Sequence, residues 1–521
     1  MLKSRIRCPL VVILGSICLE VIATASSVSG QGTPMFASEA KQGPHAVGLK
    51  VVEQYDYSRI FQPLIDELGQ PYRGERARPL QTLIWYPAQK SASSPVTVGG
   101  YIALEATQTS FGKPKHSTGI DEWFQAGTKS AFAMPMWAMR DAPLASGHFP
   151  VVIYAPSFSS VPWENADLCE YLASYGYVVI ASPGIGVTHQ STHDLAGVDA
   201  QARDILFLIG YAQTLSNTDM SEVGVVGFSW GGISNLFAAA RDNRIDALVA
   251  LDGSMRYFPG LVKQAGDVHP DQMTIPLLFL KGETSLEDQA RLDTIFHSEG
   301  PNVLNQWTHG DLISVQMLGF VHPLFTSMAH RNEKFWEYEF PSLQVADYGR
   351  EDGIVGYSWV ARYTREFLDA YLKHNVSALK FLKSKPSENG QPRHAMAVKF
   401  RPAAGMPPSL SSFRVEVGRR GFDHVVEIYA EIQKENHDFK LGADAVMSWA
   451  YQLMAGGYPR EAIDVMKLVV QIDPSSWAYS GLAEAYMKSG QQMEAIESYE
   501  KALEKDSGNV LAKQRLEELK K

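Results

Sequence analysis

A short apolar run, Val223-Gly224-Val225-Val226, feeds directly into Gly227-Phe228-Ser229-Trp230-Gly231 and then into helix-like text from Ile233 to Arg241. A chain that passes from strand to helix through Gly-x-Ser-x-Gly must bend sharply, and side chains at positions 227 or 231 would collide across the bend. Ser229 is thereby held above the edge of a sheet, at the N-terminus of a helix. The flanking text supplies that sheet. Val151–Tyr154, Tyr177–Ala181, Ala247–Leu251, Ile275–Leu280 and the alternating Asp311–Leu318 read as strands, while Ala166–Tyr175, Gln201–Leu215 and Tyr357–Leu372 read as helices. Strands alternating with amphipathic helices build a mostly parallel sheet, so the class is α/β. Residues 44–88 form a β-rich opening whose strand Leu80–Tyr86 is stopped by Pro87. Residues 89–147, rich in Ser, Gly, Pro and Met, and residues 326–356 are expected to be excursions that line or cover a site.

A serine hydroxyl becomes a useful nucleophile when a histidine takes its proton and a carboxylate supports the resulting imidazolium. Downstream of a Gly-x-Ser-x-Gly bend the acid comes first and the histidine second. Asp252 ends the apolar strand Ala247–Leu251 and precedes Gly253, which makes it the candidate acid, with a structural cap as the other reading. Two histidines compete for the base. His322 follows the strand-like Asp311–Leu318, whereas His309 would require the strand to lie earlier, in residues 302–307. Acyl chemistry also needs two backbone N–H groups aimed at the oxyanion. Trp230, next to the serine, is one candidate. The second belongs to the loop after Tyr154, where Pro156 has no N–H and the donor falls to Ser157 or Phe158.

Other polar clusters carry less. His189 and His193 have the spacing of two metal ligands on a helical face, with Asp194 beside them, but Gly184 and Gly186 mark a loop and no third ligand is evident. No metal or organic cofactor is expected. Asp56-Tyr57-Ser58-Arg59 and Arg76–Arg78 read as solvated surface charge rather than as a patch that steers an anionic substrate. A net charge of -10 with both signs interspersed leaves no basic stripe for nucleic acid. Of three cysteines, Cys8 and Cys18 lie in the N-terminal leader, and Cys169 reads as a small buried hydrophobe.

Gly-Phe-Ser-Trp-Gly-Gly at 227–232, followed by Ala-Leu-Val-Ala-Leu-Asp-Gly-Ser at 247–254, resembles the platelet-activating-factor acetylhydrolase and dienelactone hydrolase-like branch of the α/β-hydrolases. Trp85-Tyr86-Pro87-Ala88 and Pro150–Tyr154 fit the same branch, and the likeness spans roughly residues 45–380. The resemblance implies the α/β-hydrolase fold, attack by Ser229 and an acid role for Asp252. Val321-His322-Pro323-Leu324-Phe325 is similar to the family's Val-His-x-x-Phe text and points to His322. The family's His-Gly in the oxyanion loop is replaced here by Ala155-Pro156-Ser157-Phe158, and alignment selects the Phe158 amide. The expected activity is hydrolysis of a small-molecule carboxylic ester or related acyl bond through an acyl-enzyme. An acyltransferase with the same triad, and a catalytically silent scaffold that binds protein through its C-terminal repeats, are the alternatives.

Ala455–Ile463 and Met487–Ile496 repeat one another, with Gly457 and Gly490 standing 33 positions apart. A glycine at a turn, then Glu-Ala-Ile opening a helix, resembles the tetratricopeptide repeat, whose unit is about 34 residues. A degenerate third unit is expected in Phe422–Gln452, and so few units should lean on a neighbouring domain or partner. At the other end, a basic head, the apolar run Cys8–Leu19 and Ala23-Thr24-Ala25 form a signal peptide cleaved near Ala25. That run is shorter than the ~20 residues of a spanning helix, which favours export over anchoring. The expected division is a leader at 1–25, a hydrolase domain at 44–383, a linker rich in Pro, Ser, Gly and Lys at 384–411, and helical repeats at 412–521.

Overall fold

Val151, Val152, Ile153 and Tyr154 are all buried, as are Val178 to Ala181 and Ala247 to Leu251. A strand can be apolar on both faces only inside a sheet that helices cover on both sides. The computed structural model describes residues 40–520 apart from 67, 92, 113–126, 189, 284–285, 298–300, 344–347 and 393–394. The leader at 1–25 lies outside the described residues.

Among the described residues eleven strands form one sheet: β1 (Ala46–Ile60), β2 (Ala77–Ala88), β3 (Pro95–Thr97), β4 (Pro135–Arg140), β5 (Phe149–Ala155), β6 (Val178–Ala181), β7 (Thr218–Phe228), β8 (Ile245–Leu251), β9 (Leu277–Lys281), β10 (Leu312–Met317) and β11 (Met396–Arg401). Their order is β11-β10-β9-β8-β7-β5-β6-β2-β1-β4-β3. The six central strands from β10 to β6 run parallel. Antiparallel β2 and β11 flank them. The chain has the α/β-hydrolase fold, a mostly parallel sheet with helices, followed by a helical C-terminal region.

Two apolar cores lie against the sheet. Helices Ala166–Ser174 and Arg350–Leu372 contribute to one, and Leu195–Ala212 and Trp230–Arg241 to the other. Cys169 is a free, buried thiol in the first. Because β7 and β8 pair in register from Gly224↔Ala247 to Phe228↔Leu251, residues 229 and 252 emerge together at the same end of the sheet.

Three expectations change. Residues 89–147 are not wholly an excursion, because β4 pairs with β1 and buries Met136 and Ala138 in alternation. The expected linker at 384–411 contains β11, which pairs along β10 from Met317↔Met396 to Leu312↔Arg401. Its six residues lie between Pro392 and Pro402, too few for their alternation to stand out from the prolines and lysines around them. Arg78 is not solvated surface charge. It is buried and grips Asp204 through two nitrogens at 2.6 Å, while donating to the carbonyls of Ile185 and Gly186. Arg59 joins at 2.7 Å and also reaches Asp56. Buried charge is tolerated when every group is paired in this way, and here the pairing pins the loop that follows β6.

The C-terminal helices have a separate apolar core. Ala443–Ala455 with Pro459–Ile472, and Ser476–Lys488 with Gln492–Lys505, form two helical hairpins. Gly457 (φ 87°) and Gly490 (φ 78°) turn them in the left-handed region that glycine enters without strain. The window Phe422–Gln452 straddles two units, since it joins the helix Val425–Glu435 to the first helix of the next hairpin. Among the described residues no helix is long and apolar enough to cross a membrane.

Candidate active site

Ser229 follows the last residue of β7 and precedes the first turn of the helix Trp230–Arg241, with φ 52° and ψ −116°. Such a backbone costs a non-glycine residue about 1–3 kcal/mol and persists only where its surroundings enforce it. Here the Ser229 N–H donates to the Leu251 carbonyl (3.1 Å), and its own carbonyl accepts from Gly232 (3.0 Å) and Ser254 (2.8 Å). The flanking glycines leave no alternative. A Cβ at Gly227 would stand 2.4 Å from the Gly231 backbone, and one at Gly231 would stand 2.1 Å from the Ala155 oxygen.

Asp252 leaves β8 with its N–H on the Leu280 carbonyl (2.7 Å) and its Oδ1 accepting from Gly282 (3.3 Å). Its Oδ2 lies 2.5 Å from Nδ1 of His322, and Nε2 of His322 lies 2.9 Å from Oγ of Ser229. His322 opens the short 3-10 turn His322–Phe325 just past β10, and its ring packs 4.8 Å from Phe228. These three side chains therefore form one hydrogen-bonded chain from carboxylate to hydroxyl. In that chain Nδ1–H donates to the acid and the bare Nε2 accepts from the serine. His309 lies elsewhere. It follows a helical turn, Val303–Gln306, where its role as base would have needed a strand, and its Nδ1–H donates to the Gly405 carbonyl (2.8 Å).

On the other side of Ser229, Trp230 begins the helix with a buried ring. That ring meets Phe158 edge-on at 5.7 Å and Phe258 at 5.2 Å. The Ser157 N–H is committed to Glu164 at 2.7 Å, so of the two amides after Pro156 it is Phe158 that is not drawn to this carboxylate. His193 stacks face to face on Phe158 at 3.9 Å, and burial lowers its pKa below the ordinary imidazole value. Asp194 caps the helix Leu195–Ala212 through the Gly197 N–H (2.9 Å). His189 lies outside the described residues.

Sequence reading missed the residues that hold these loops. Gln201 donates to the Pro156 carbonyl (2.7 Å) and accepts from Ser234 on the helix that follows Ser229 (2.7 Å), which ties the two halves of the expected oxyanion site together. A glutamine and a serine on separate helices give no pairing signal before the fold is known. His330 donates from Nε2 to the Leu324 carbonyl inside the His322 turn (2.8 Å), while its Nδ1 has no hydrogen-bond partner among the described residues. Burial brings the pKa of this ring down from the ordinary 6.5 to about 4. As pH falls through that window the unfolded chain binds a proton that the folded chain refuses, so stability is lost from about pH 6.5 down to about 4. Thermal melts over this range should show the wild type losing stability relative to His330→Gln. A constant offset between the two proteins would contradict the assignment.

Residues 138–288, which hold β5, the Ser229 bend and Asp252, match the model of the Dienelactone hydrolase family. The chain carries a dienelactone hydrolase family domain. The match stops short of His322 in sequence, although that residue completes the hydrogen-bonded chain in space. Residues 476–509 match the tetratricopeptide repeat, so the dienelactone hydrolase domain is fused to helical repeats. A carboxymethylenebutenolidase homologue of Synechocystis sp. is 32% identical over 109 residues, covering 17% of this chain and 43% of its own. One of Methylorubrum extorquens is 26% identical over 131 residues, covering 23% of this chain and 45% of its own. The chain thus spans less than half the length of these curated relatives. A solved ferulic acid esterase from Streptomyces cinnamoneus superposes with a TM-score of 0.48 at 20% identity, over 68% of this chain and 96% of that one.

Proposed function

We propose that this protein is an exported serine hydrolase that cleaves a carboxylic ester or related acyl bond. The observation that carries the reading is the unbroken sequence of contacts from Asp252 through His322 to Ser229. In this reading His322 takes the Ser229 proton as Oγ attacks the carbonyl carbon, and Asp252 fixes the imidazole tautomer and stabilises its charge. The amides of Trp230 and Phe158 receive the oxyanion, each donor of this kind contributing about 10²–10³ in rate. His322 then returns the proton to the leaving alcohol, and a water activated by the same ring splits the acyl-enzyme. The matched dienelactone hydrolase family and the carboxymethylenebutenolidase relatives support hydrolysis as the reaction type. The leader at 1–25 supports export with cleavage near Ala25, and the helical repeats support a protein partner.

The test is a panel of p-nitrophenyl esters graded in acyl length, with mass mapping of the acid-quenched reaction. Turnover of at least one ester, and an acyl adduct confined to the peptide that contains Ser229, is expected. No turnover and no adduct across the panel would overturn the reading.

A further inference from the structure

Glu164 and Asn165 are adjacent, and both are buried. Four donors converge on the Glu164 carboxylate, all from the end of β5 and the loop after it. Oε1 accepts from the Ser157 N–H (2.7 Å) and the Tyr154 hydroxyl (2.8 Å), and Oε2 accepts from the hydroxyls of Ser157 (2.7 Å) and Ser160 (2.6 Å). Asn165 is satisfied just as fully, but toward the other loop. Its Nδ2 donates to the Phe325 carbonyl (2.9 Å) at the end of the His322 turn and to the Tyr154 hydroxyl (2.8 Å). Its Oδ1 accepts from the Ser327 N–H and the Tyr357 hydroxyl, both at 2.8 Å. The backbone carbonyl between the two side chains accepts from Met328 (3.2 Å) and from the Ser327 hydroxyl (3.2 Å).

A buried carboxylate is expensive, and burial pushes the proton affinity of Glu164 up. No cation pairs with it among the described contacts. The ordinary return for such a cost is a fixed local geometry. Glu164 clamps Ser157, the residue just before the Phe158 amide, at two points, its backbone N–H and its hydroxyl, and so restricts the turn from which that amide projects. Ser159, one residue further, sits at φ 53°, so the loop is held in a shape it would not adopt unaided.

We infer that Glu164 and Asn165 are a pair of positioning residues that lock the oxyanion loop to the base loop, Glu164 by clamping Ser157 and Ser160 on either side of the Phe158 amide and Asn165 by holding the His322 turn. The inference rests on the hydrolase reading proposed above. It assigns to two residues, neither of which touches substrate, the relative placement of the donor and the base.

The test compares an oxo-ester with its thiono counterpart, in which the carbonyl oxygen is replaced by sulfur. Sulfur accepts hydrogen bonds poorly, so the preference for the oxo-ester measures how well the two amides are aimed. Glu164→Gln keeps the volume but removes the charge and two accepting lone pairs. The expected result is a loss of about 10- to 100-fold in kcat for the oxo-ester, against a full donor's worth of about 10²–10³. KM should change little, and the rate on the thiono-ester should fall much less, so the oxo-to-thiono ratio collapses. Tyr154→Phe, which deletes one donor to Glu164 and one acceptor for Asn165, should shift the ratio in the same direction by a few-fold, and it serves if Glu164→Gln does not fold. A proportional fall on both esters, or no change in kcat, would overturn the inference. Failure of the wild type to turn over either ester or to take up an acyl group would instead overturn the hydrolase reading.

Discussion

Ser229→Ala should lose ester turnover by at least about 10⁴-fold while retaining the wild-type melting profile. Among the described residues the hydroxyl bonds only to His322, and the backbone bonds that hold the bend involve only main-chain atoms. Alanine therefore removes the proposed nucleophile without loosening its support. The same variant should take up no fluorophosphonate label, whereas the wild type should label to one equivalent. Residual activity within tenfold of wild type would show that the acyl group is carried elsewhere.

Asp252→Asn should cost about 10⁴-fold in kcat with a modest change in KM. The carboxylate meets Nδ1 of His322 at 2.5 Å and also accepts from Gly282, so it dictates which ring nitrogen carries the proton. An amide in its place can offer an N–H to Nδ1, which would put the proton on Nε2 and turn the proposed base into a donor toward Ser229. His322→Ala should lose activity to a similar degree, while His309→Ala should retain wild-type kcat, because His309 is bonded to Gly405 in a different part of the molecule. Equal losses for the two histidine variants would reject the assignment of His322 as base.

How much of this was legible beforehand depended on whether a residue's role is local. The Ser229 bend declares itself because strand, glycines and helix are contiguous, and Asp252 because it ends an apolar run. His322 needed only the strand before it. The choice between His322 and His309 depended on whether residues 302–307 were strand, and an Asn302-capped helical turn occupies them. Arg78, Glu164, Asn165 and Gln201 were invisible for the opposite reason. Each gains its meaning from a partner on another element, 126 positions away for Arg78 and Asp204, and a lone polar residue ahead of an apolar helix reads as a cap. The strands β4 and β11 were missed because methionine, lysine and proline mask a short alternation, and only their pairing to β1 and β10 gives them away.

The placement of β11 bears on how this protein can be divided. Residues 384–411 look like the natural place to cut, yet severing the chain after residue 383 would strip β10 of its outer neighbour and bare a row of unpaired amides and carbonyls five residues before the imidazole. Exposed ladders of that kind recruit other chains. The tether is the much shorter stretch between Gly405 and the helix that begins at Leu410, because Ala403, Ala404 and Gly405 are still bonded to Asp311, Thr308 and His309, and a fragment made without β11 would report on its own raw edge rather than on the intact protein.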